Sequence, residues 1–236
     1  MLAAVESRDV DRLVVCFTEE ASWQNVPHPP AHGLIEIRQL FDPIVTLSDR
    51  IHWEVGTEIY EDGRGWLERI DHFWIDGDRH SVSCNGVFDV DVERGLVRSV
   101  RDYVDLGEWR SRIGPVYKKA AARTGLEVVT RHLDGVRTGD PIEMARDYAI
   151  DAVLERAAET HRGRSTITGY FRTVPARLGS ATLSLGEPEG PAGDGSIAVR
   201  WQIHGDTQLL ASGTDIYRVA TGRITYQRVL LDGSDF

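Results

Sequence analysis

A short stretch of the sequence, WLERIDHFW (residues 66–74), places charged residues where a strand would bury them. Side chains alternate between the two faces of a strand, so Leu67, Arg69, Asp71 and Phe73 would share one face. A guanidinium beside a carboxylate between two apolar side chains is costly to bury unless its hydrogen bonds are completed. The pattern is therefore either a surface ion pair or part of a built site.

Two further segments supply groups that would complete such a site. In LVRSVRDYVDL (96–106), Asp102 lies between two valines on one face of the predicted strand. In ASWQNVPHPPAHG (21–33), Trp23 and Asn25 share a face just before prolines that stiffen the chain. If these side chains all point into one curved sheet, its interior holds two acids, an arginine, an amide and an indole.

Two carboxylates bridged by one arginine do not titrate alike. The guanidinium fork binds both of them, but in a desolvated pocket one acid tends to keep its proton while the other ionises. That division supplies a general base and a general acid. The base takes a proton from water and the acid protonates an oxygen leaving group, so the pattern predicts catalysis without a metal or a cofactor.

Composition and charge argue against several other classes of protein. The 236 residues include 41% hydrophobic and 27% charged residues, which are globular proportions. The net charge of −10 argues against nucleic acid and anionic membranes as partners, because phosphate binding needs a basic surface. No apolar stretch approaches the roughly 18 residues of a membrane span, and the start MLAAVESRDVDRL lacks a signal-peptide pattern. We expect a cytoplasmic protein.

The cysteines and histidines show no metal-ligand spacing. Cys16 and Cys84 stand far apart in the chain, either as free thiols or as one disulfide. The histidines are scattered, and we predict no metal site. His28 and His32, in the proline-rich stretch, either line the mouth of a pocket or face solvent.

The sequence contains one pattern twice. SRDVDRLVVCFTEEASWQN and TGDPIEMARDYAIDAVLER each predict a helix, a polar turn, a second short helix and a strand. Gly33 in the first copy corresponds to Gly163 in the second, and each lies at the start of a predicted amphipathic helix. Each half continues with four runs that are rich in β-branched and aromatic residues. These strands are predicted at 52–60, 65–75, 80–91 and 96–105 in the first half, and at 178–187, 196–204, 208–219 and 223–231 in the second.

Helices followed by a meander of strands predict the α+β class rather than a parallel α/β sheet. The join between the halves is predicted near Pro115, so that the first domain covers 1–113 and the second covers 114–236. Residues 115–137 are predicted to form the first helix of the second domain, with the proline in its first turn and either a kink or a break at Gly125.

Taken together, these motifs resemble those of limonene-1,2-epoxide hydrolases. ASWQNVPHPPAHG, GWLERIDHF, NGVFDV and VRDYVDL occur in the same order as in that family, over roughly residues 3–109. The fold implied by the resemblance is a cone-shaped, strongly curved mixed sheet with helices closing its open side, as in nuclear transport factor, ketosteroid isomerases and polyketide cyclases. The second half is expected to be a degenerate domain of the same fold.

The resemblance also implies roles for the matching positions. Asp102 would be the base that takes a proton from water, Asp71 the acid that protonates the epoxide oxygen, and Arg69 the bridge that orients both. Asn25 would help to hold the attacking water, and no covalent enzyme intermediate would form. The apolar pocket lining of that family corresponds to Phe73, Val82, Cys84, Val104 and Trp109.

Trp23 departs from the family, which has a tyrosine at this position that helps to hold the water. An indole N–H only donates a hydrogen bond, so the water would be held less tightly, and the larger ring reshapes the pocket. If an intramolecular alcohol replaced water as the nucleophile, the protein would be an epoxide-opening cyclase of the polyether type.

The repeat predicts that the second half lacks this chemistry. In our alignment, Trp23, Asn25, Arg69, Asp71 and Asp102 fall in that order on Leu154, Arg156, Arg200, Gln202 and Val229. Such a copy would be non-catalytic and would pair with the first domain as an intramolecular pseudo-dimer, with further oligomerisation open. Alternatively, it binds a different ligand through some of His161, Arg162, Arg164, Arg200 and Asp215.

Three functions are compatible with the sequence. The first is cofactor-independent epoxide opening on an apolar terpenoid or polyketide-derived substrate, as a hydrolase or a cyclase. The second keeps the pocket but uses one aspartate to abstract a C–H proton, as an isomerase or an aldol-type polyketide cyclase. The third is a binding protein without catalysis, in which Trp23 blocks the reaction.

Overall fold

The computed structural model describes residues 1–233, and the chain divides into two compact units. The first unit is Met1–Ala120, and the second begins at Ala121. Each unit contains one six-stranded mixed sheet together with helices. The predicted α+β class with two tandem sheets is therefore confirmed.

In the first unit, short helices precede the sheet and a longer helix follows its first hairpin. The helices are α1 (Leu2–Glu6), α2 (Val10–Val14), α3 (Gly33–Leu47), α4 (Leu106–Glu108) and α5 (Gly114–Ala121), with a π-helical turn at Trp109–Ile113. The strands are β1 (Phe17–Asn25), β2 (Ala31–His32), β3 (Arg50–Glu61), β4 (Arg64–Ile75), β5 (Asp78–Asp91) and β6 (Leu96–Val104).

The second unit repeats this succession of elements. Its helices are α6 (Gly125–Thr138), α7 (Pro141–Ala145), α8 (Arg164–Phe171) and α9 (Val174–Leu178). Its strands are β7 (Tyr148–Arg156), β8 (Glu159–Arg162), β9 (Thr182–Leu185), β10 (Ile197–His204), β11 (Leu209–Ala220) and β12 (Arg223–Leu231).

The two sheets have the same strand order. The first is ordered β2-β1-β6-β5-β4-β3 and the second β8-β7-β12-β11-β10-β9. In each sheet the first long strand pairs in parallel with the last one, as β1 with β6 and β7 with β12. The other strand pairs are antiparallel, and the long hairpins between them carry the alternation of buried and exposed side chains that the sequence predicts.

Local signals fix where the helices begin and end. The side chain of Asp9 accepts hydrogen bonds from two backbone N–H groups at the start of α2. Thr124 and Glu127 form a capping box at the start of α6, which ends at Gly139 in the left-handed conformation. The helical segment predicted over 115–137 is therefore broken into α5 and α6, with α6 beginning at Gly125, where the sequence predicts a kink or a break.

Helix α5 belongs to the first unit because it covers that unit's interior. The ring centroid of Tyr117 lies 6.2 Å from that of Phe73 and 5.9 Å from that of Trp109. The units divide near the C-terminal end of α5, between Ala120 and Ala121. No helix among residues 1–233 is long and apolar enough to cross a membrane.

Candidate active site

Arg69 joins two buried carboxylates inside the first unit. Its Nε donates a hydrogen bond to Oδ1 of Asp71 at 2.7 Å, and its Nη2 donates to Oδ2 of Asp102 at 2.7 Å. Longer bonds of 3.2 and 3.3 Å complete a fork on each acid. The three residues are at most 7% exposed. We call Arg69, Asp71 and Asp102 the acid–arginine triad.

Strand geometry brings the triad together. On β4, the side chains of Leu67, Arg69, Asp71 and Phe73 are all buried, as the alternation predicts. Asp102 lies on β6, and β5 separates it from β4 in the sheet. The side chains therefore meet across the width of one intervening strand.

Gly86, at that position of β5, leaves the space in which the triad meets. It pairs in register with both Leu67 and Asp102. A Cβ atom at Gly86 would lie 2.5 Å from Nη1 of Arg69 and 2.8 Å from Oδ1 of Asp102. The glycine is needed here for close approach rather than for an unusual backbone angle.

Trp53 covers the other side of the guanidinium. It pairs in register with Asp71 across β3 and β4, and its ring centroid lies 4.2 Å from the guanidinium carbon of Arg69. A cation over an indole face is stabilised by the ring quadrupole. Arg69 is therefore held by two carboxylates and one aromatic face, and its orientation is fixed.

The electrostatics of the triad favour a shared proton. Burial raises the pKa of Asp71 to about 6, although the charge of Arg69 opposes this rise. Burial also raises the pKa of Asp102, opposed by Arg69 and by a hydrogen bond from the Cys84 thiol. Burial alone would lower the pKa of Arg69, but the two carboxylates outweigh it and raise that pKa. The guanidinium stays charged, and the two acids compete for one proton.

The triad's acids face a cavity of about 380 Å³. Asp71 and Asp102 lie on its wall, whereas Arg69 holds them from behind. Every predicted pocket residue is on this wall: Phe73, Val82, Cys84, Val104 and Trp109. Trp23 and Asn25 also line it, so the structure brings together the residues that the sequence predicts for the catalytic site and its pocket, with Arg69 behind the two acids.

Asn25 lies beside Asp102, because the two residues pair in register between the parallel strands β1 and β6. The indole N–H of Trp23 donates to Oδ1 of Asn25 at 3.3 Å. The indole also packs edge-on against Phe41, with the centroids 4.7 Å apart. Trp23 thus orients the amide so that its NH₂ group remains for other partners.

Several wall residues were not anticipated from the sequence. They come mainly from α3, β3 and the segment around α5, and include Leu40, Phe41, Ile44, Trp53, Leu106 and Tyr117. The helical spacing of the α3 residues is the one signal that marks them as inward-facing. The hydroxyl of Tyr117 lies 2.7 Å from Oγ of Ser48, which fixes α5 to the end of α3.

The remaining polar candidates occupy the edge of the cavity or lie away from it. Nη2 of Arg110 donates to Nε2 of His28 at 3.1 Å, and both residues line the cavity mouth. His32 is exposed at the start of α3. Cys16 and Cys84 are free thiols rather than a disulfide. Within the described chain, no three His, Cys, Asp or Glu side chains are grouped to hold a metal.

Comparison with known proteins gives one family match and a number of similar solved structures. A family model for the SnoaL-like domain matches residues 129–227, in the second unit. An LEH-like epoxide hydrolase of M. tuberculosis is 23% identical, over 45% of this chain and 78% of that one, with a TM-score of 0.38. The epoxide hydrolase/cyclase-like enzyme SalBIII, described in pyran ring formation in the polyether salinomycin, is 22% identical over 45% of this chain and 86% of that one, with a TM-score of 0.41.

A third structure comes from Catenulispora acidiphila DSM 44928. This hypothetical protein with a ketosteroid isomerase-like fold, in complex with trimethylamine, is 14% identical over 45% of this chain and 83% of that one, with a TM-score of 0.40. The strand order and the SnoaL-like match together place the chain in the predicted fold class, that of nuclear transport factor and ketosteroid isomerase.

The second unit corrects part of the repeat alignment. Asn25 pairs with Asp102 in the first sheet, and Arg156 pairs with Val229 in the second. The predicted matches of Asn25 with Arg156 and of Asp102 with Val229 are therefore correct. The strand pairing can be followed from β6 through β5 to β4 in the first unit, and from β12 through β11 to β10 in the second. Counted in this way, the residue of the second unit that corresponds to Arg69 is Trp201 rather than Arg200.

Arg200 and Gln202, predicted at the triad positions, are exposed on the opposite face of β10. The position of Asp71 corresponds instead to Ile203. A slip of one residue reverses the face of every side chain in a strand. Of the second-half residues considered for a ligand, Asp215 lines a cavity of this unit.

Gly86→Ala tests the space around the triad. We expect the methyl group to push Arg69 from its carboxylates, with a loss of stability of about 1–3 kcal/mol from overpacking. Urea denaturation measures the change. Gly193→Ala is the matched control, because a Cβ there meets no atom within 4 Å. Equal stability of the two variants would contradict the described packing.

Asp71→Asn tests the proton held by the triad. The pKa of Asp71 rises from 3.8 to about 6 on folding, so the native state binds more protons between these values and loses stability as the pH rises. Asparagine does not titrate. We therefore expect the variant to gain stability relative to the wild type between about pH 4 and pH 7, by at most about 3 kcal/mol.

Chemical denaturation at several pH values measures this difference. Asp78→Asn, at an exposed position of β5, serves as the control and should show no such trend. Parallel stability curves for Asp71→Asn and the wild type would show that Asp71 titrates at the same pH in the folded and unfolded chains.

Proposed function

We propose that the first unit opens an epoxide on an apolar, terpenoid or polyketide-derived substrate by acid and base catalysis, as a hydrolase or an epoxide-opening cyclase. One observation carries this proposal: a buried arginine holds two carboxyl groups against the wall of a largely apolar cavity. The resemblance of the first half to limonene-1,2-epoxide hydrolases agrees with it.

The charge of the triad supports a division of labour. With both acids ionised, Arg69 leaves one net negative charge buried, whereas one retained proton makes the triad neutral. Burial disfavours uncompensated charge and raises the pKa of Asp71 to about 6, so the singly protonated form is favoured up to about pH 6. That form contains one carboxylate and one carboxylic acid, the two partners that acid and base catalysis needs.

Asp102 is the base in this proposal because the polar group that can hold a nucleophile lies next to it. Asn25 is its register partner, and both line the cavity. Asp71 lies on the other side of Arg69, in register with Val82 and adjacent on its face to Phe73. An apolar neighbourhood favours the protonated form of a carboxyl group, which suits the acid.

The reaction then proceeds in one step. Asp102 accepts the proton of a water or alcohol O–H while the nucleophile's oxygen forms a bond to an epoxide carbon. The epoxide C–O bond breaks, and its oxygen takes the proton of Asp71. Asp102 ends protonated and Asp71 ionised, so a proton exchange through solvent or across the triad restores the starting form.

The cavity sets the class of substrate. Its wall consists mainly of aromatic and aliphatic side chains, among them Phe41, Phe73, Trp109 and Tyr117. A volume of about 380 Å³ falls in the usual range for small-molecule sites. The proposed substrate is therefore a hydrocarbon-rich epoxide. That the second domain is non-catalytic and pairs with the first as a pseudo-dimer stays a prediction.

Asp102→Asn should abolish turnover while leaving the fold intact. Loss of a general base is expected to lower kcat by about 10²–10⁴-fold, measured on a panel of terpenoid and polyketide-type epoxides. Asp78→Asn is again the matched control, because it removes an exposed carboxylate from the same sheet. Full activity of Asp102→Asn would remove the proposal.

Trp23→Tyr tests the nucleophile. A phenol both donates and accepts hydrogen bonds, so it should hold a water that the indole holds less well. We expect the yield of diol to rise by about five- to tenfold, the effect of roughly one neutral hydrogen bond. Product analysis in ¹⁸O-labelled water measures it, since only hydrolysis brings the label into the product.

The same labelling separates the other candidate functions. A cyclase gives an unlabelled cyclic ether, and an isomerase or aldol-type cyclase converts its substrate without consuming an epoxide. Tight binding without turnover in both the wild type and Trp23→Tyr would identify a binding protein. An unchanged diol yield in an active Trp23→Tyr variant would refute the role given to the indole.

A further inference from the structure

A second cavity, of about 80 Å³, lies inside the second unit. Most of its wall is hydrocarbon, from α6, α8, α9 and the strands β9 to β12. Two charged side chains, those of Arg156 and Asp215, also line it. Neither occupies a position of the acid–arginine triad, so this cavity has its own polar groups.

The charged groups of this cavity stand at positions that are neutral in the first unit. Arg156 takes the place of Asn25, because it pairs with Val229 as Asn25 pairs with Asp102. Asp215 takes the place of Gly86, since it pairs with the same Val229. The first unit has its buried acids on β6 and β4, whereas the second unit has Asp215 on β11, the strand that is equivalent to β5.

Asp215 is enclosed by neutral donors from each neighbouring strand. Its Oδ1 accepts from the indole N–H of Trp201 at 3.0 Å. Its Oδ2 accepts from the hydroxyl of Tyr217 at 3.1 Å and from the amide of Gln227 at 2.9 Å. The hydroxyl of Tyr148 in turn donates to Oε1 of Gln227. This network fixes the carboxyl group on the wall.

Arg156 is the cation of the cavity. The residue is 4% exposed, and its Nη1 donates to the hydroxyl of Tyr170 at 3.0 Å. Both residues line the cavity. A guanidinium presents its N–H donors in a planar fork that matches a carboxylate. Such a group in a hydrocarbon enclosure selects a ligand with an anionic head and an apolar body.

We propose that the second cavity binds a small aliphatic carboxylic acid, whose carboxylate is held by Arg156 and Tyr170 and whose hydrocarbon part packs against Leu183 and Leu185. The volume limits its size. If each atom needs about 10–15 Å³ of such space, 80 Å³ holds roughly six non-hydrogen atoms. A branched four-carbon acid meets this limit.

Binding of an anion here is coupled to a proton. A ligand carboxylate on Arg156 brings a second negative charge toward Asp215, and like charges in a buried site favour protonation of one acid. Burial already raises the pKa of Asp215 to about 6, opposed in part by its three donors and by the charge of Arg156. The ligand raises that pKa further, so Asp215 takes up a proton on binding.

The titratable groups around Asp215 do not change their protonation state near pH 6. Burial lowers the pKa of His132, on α6, to about 4, so the imidazole is neutral. Burial raises the pKa of each surrounding tyrosine above its ordinary value, so the phenols remain neutral. The carboxyl group is bonded by Trp201 on β10, Tyr217 on β11 and Gln227 on β12, and Tyr148 on β7 bonds to Gln227. The other polar side chains of the same cavity wall are Arg156 on β7, Tyr170 on α8 and His132 on α6.

Calorimetric titration of the full chain with isobutyrate tests the proposal. We expect binding that weakens from about pH 5.5 to pH 8, approaching tenfold for each pH unit above about 6, as one linked proton requires. Asp215→Asn should bind as tightly at the higher pH as at the lower. Isobutyramide has the same shape without the charge, and it should bind at least about tenfold more weakly.

Two variants locate the bound probe. Arg156→Met should lose binding, whereas Arg200→Met, which changes an exposed arginine of the same sheet, should keep it. If Arg156→Met does not fold, Leu183→Phe fills the cavity from the edge strand β9 and should also abolish binding. No binding by the wild type, or binding that survives in Leu183→Phe, would overturn the proposal.

Discussion

The first unit depends on one buried interaction, the bridge from Arg69 to Asp71 and Asp102. Its desolvation is unfavourable, and the structure offsets this with four hydrogen bonds and the indole of Trp53. The bridge also requires that β5 carry no side chain at Gly86. Because one guanidinium serves two acids, the neutral form keeps a proton, and the candidate chemistry follows from that charge balance rather than from any single residue.

Much of this site follows from the two-residue period of strands. The alternation in WLERIDHFW placed Arg69 and Asp71 on a buried face, and the valines around Asp102 marked the same side of the sheet. Phe41 is marked in the sequence only by its helical spacing, and nothing near Trp53 or Tyr117 in the sequence marks those two residues. They reach the cavity through the pairing of β3 with β4 and through the packing of α3 and α5, which are contacts between distant segments.

The second half shows where counting along a repeat fails. Correspondence at Arg156 and Val229 was correct, because those residues lie in strands that pair directly. It slipped by one on β10, which follows the loop at 186–195, where the two halves differ in length. The slip assigned the triad positions of β10 to the exposed Arg200 and Gln202 instead of the buried Trp201 and Ile203. It also concealed that the buried acid of this unit, Asp215, stands on a different strand from the acids of the first unit.

The two sheets show why one strand order accepts two different polar arrangements but not both at once. A side chain at Gly86 would collide with the bridge between Arg69 and Asp102. The second unit has Asp215 at that position, and there the bulky partner is Trp201, whose indole in turn requires Gly213 beside it. Each arrangement thus depends on its own glycine on the central strand. A side chain at the Gly86 position, such as that of Asp215, leaves no room for the arginine bridge. Packing at this one position therefore determines which of the two polar arrangements a unit can form.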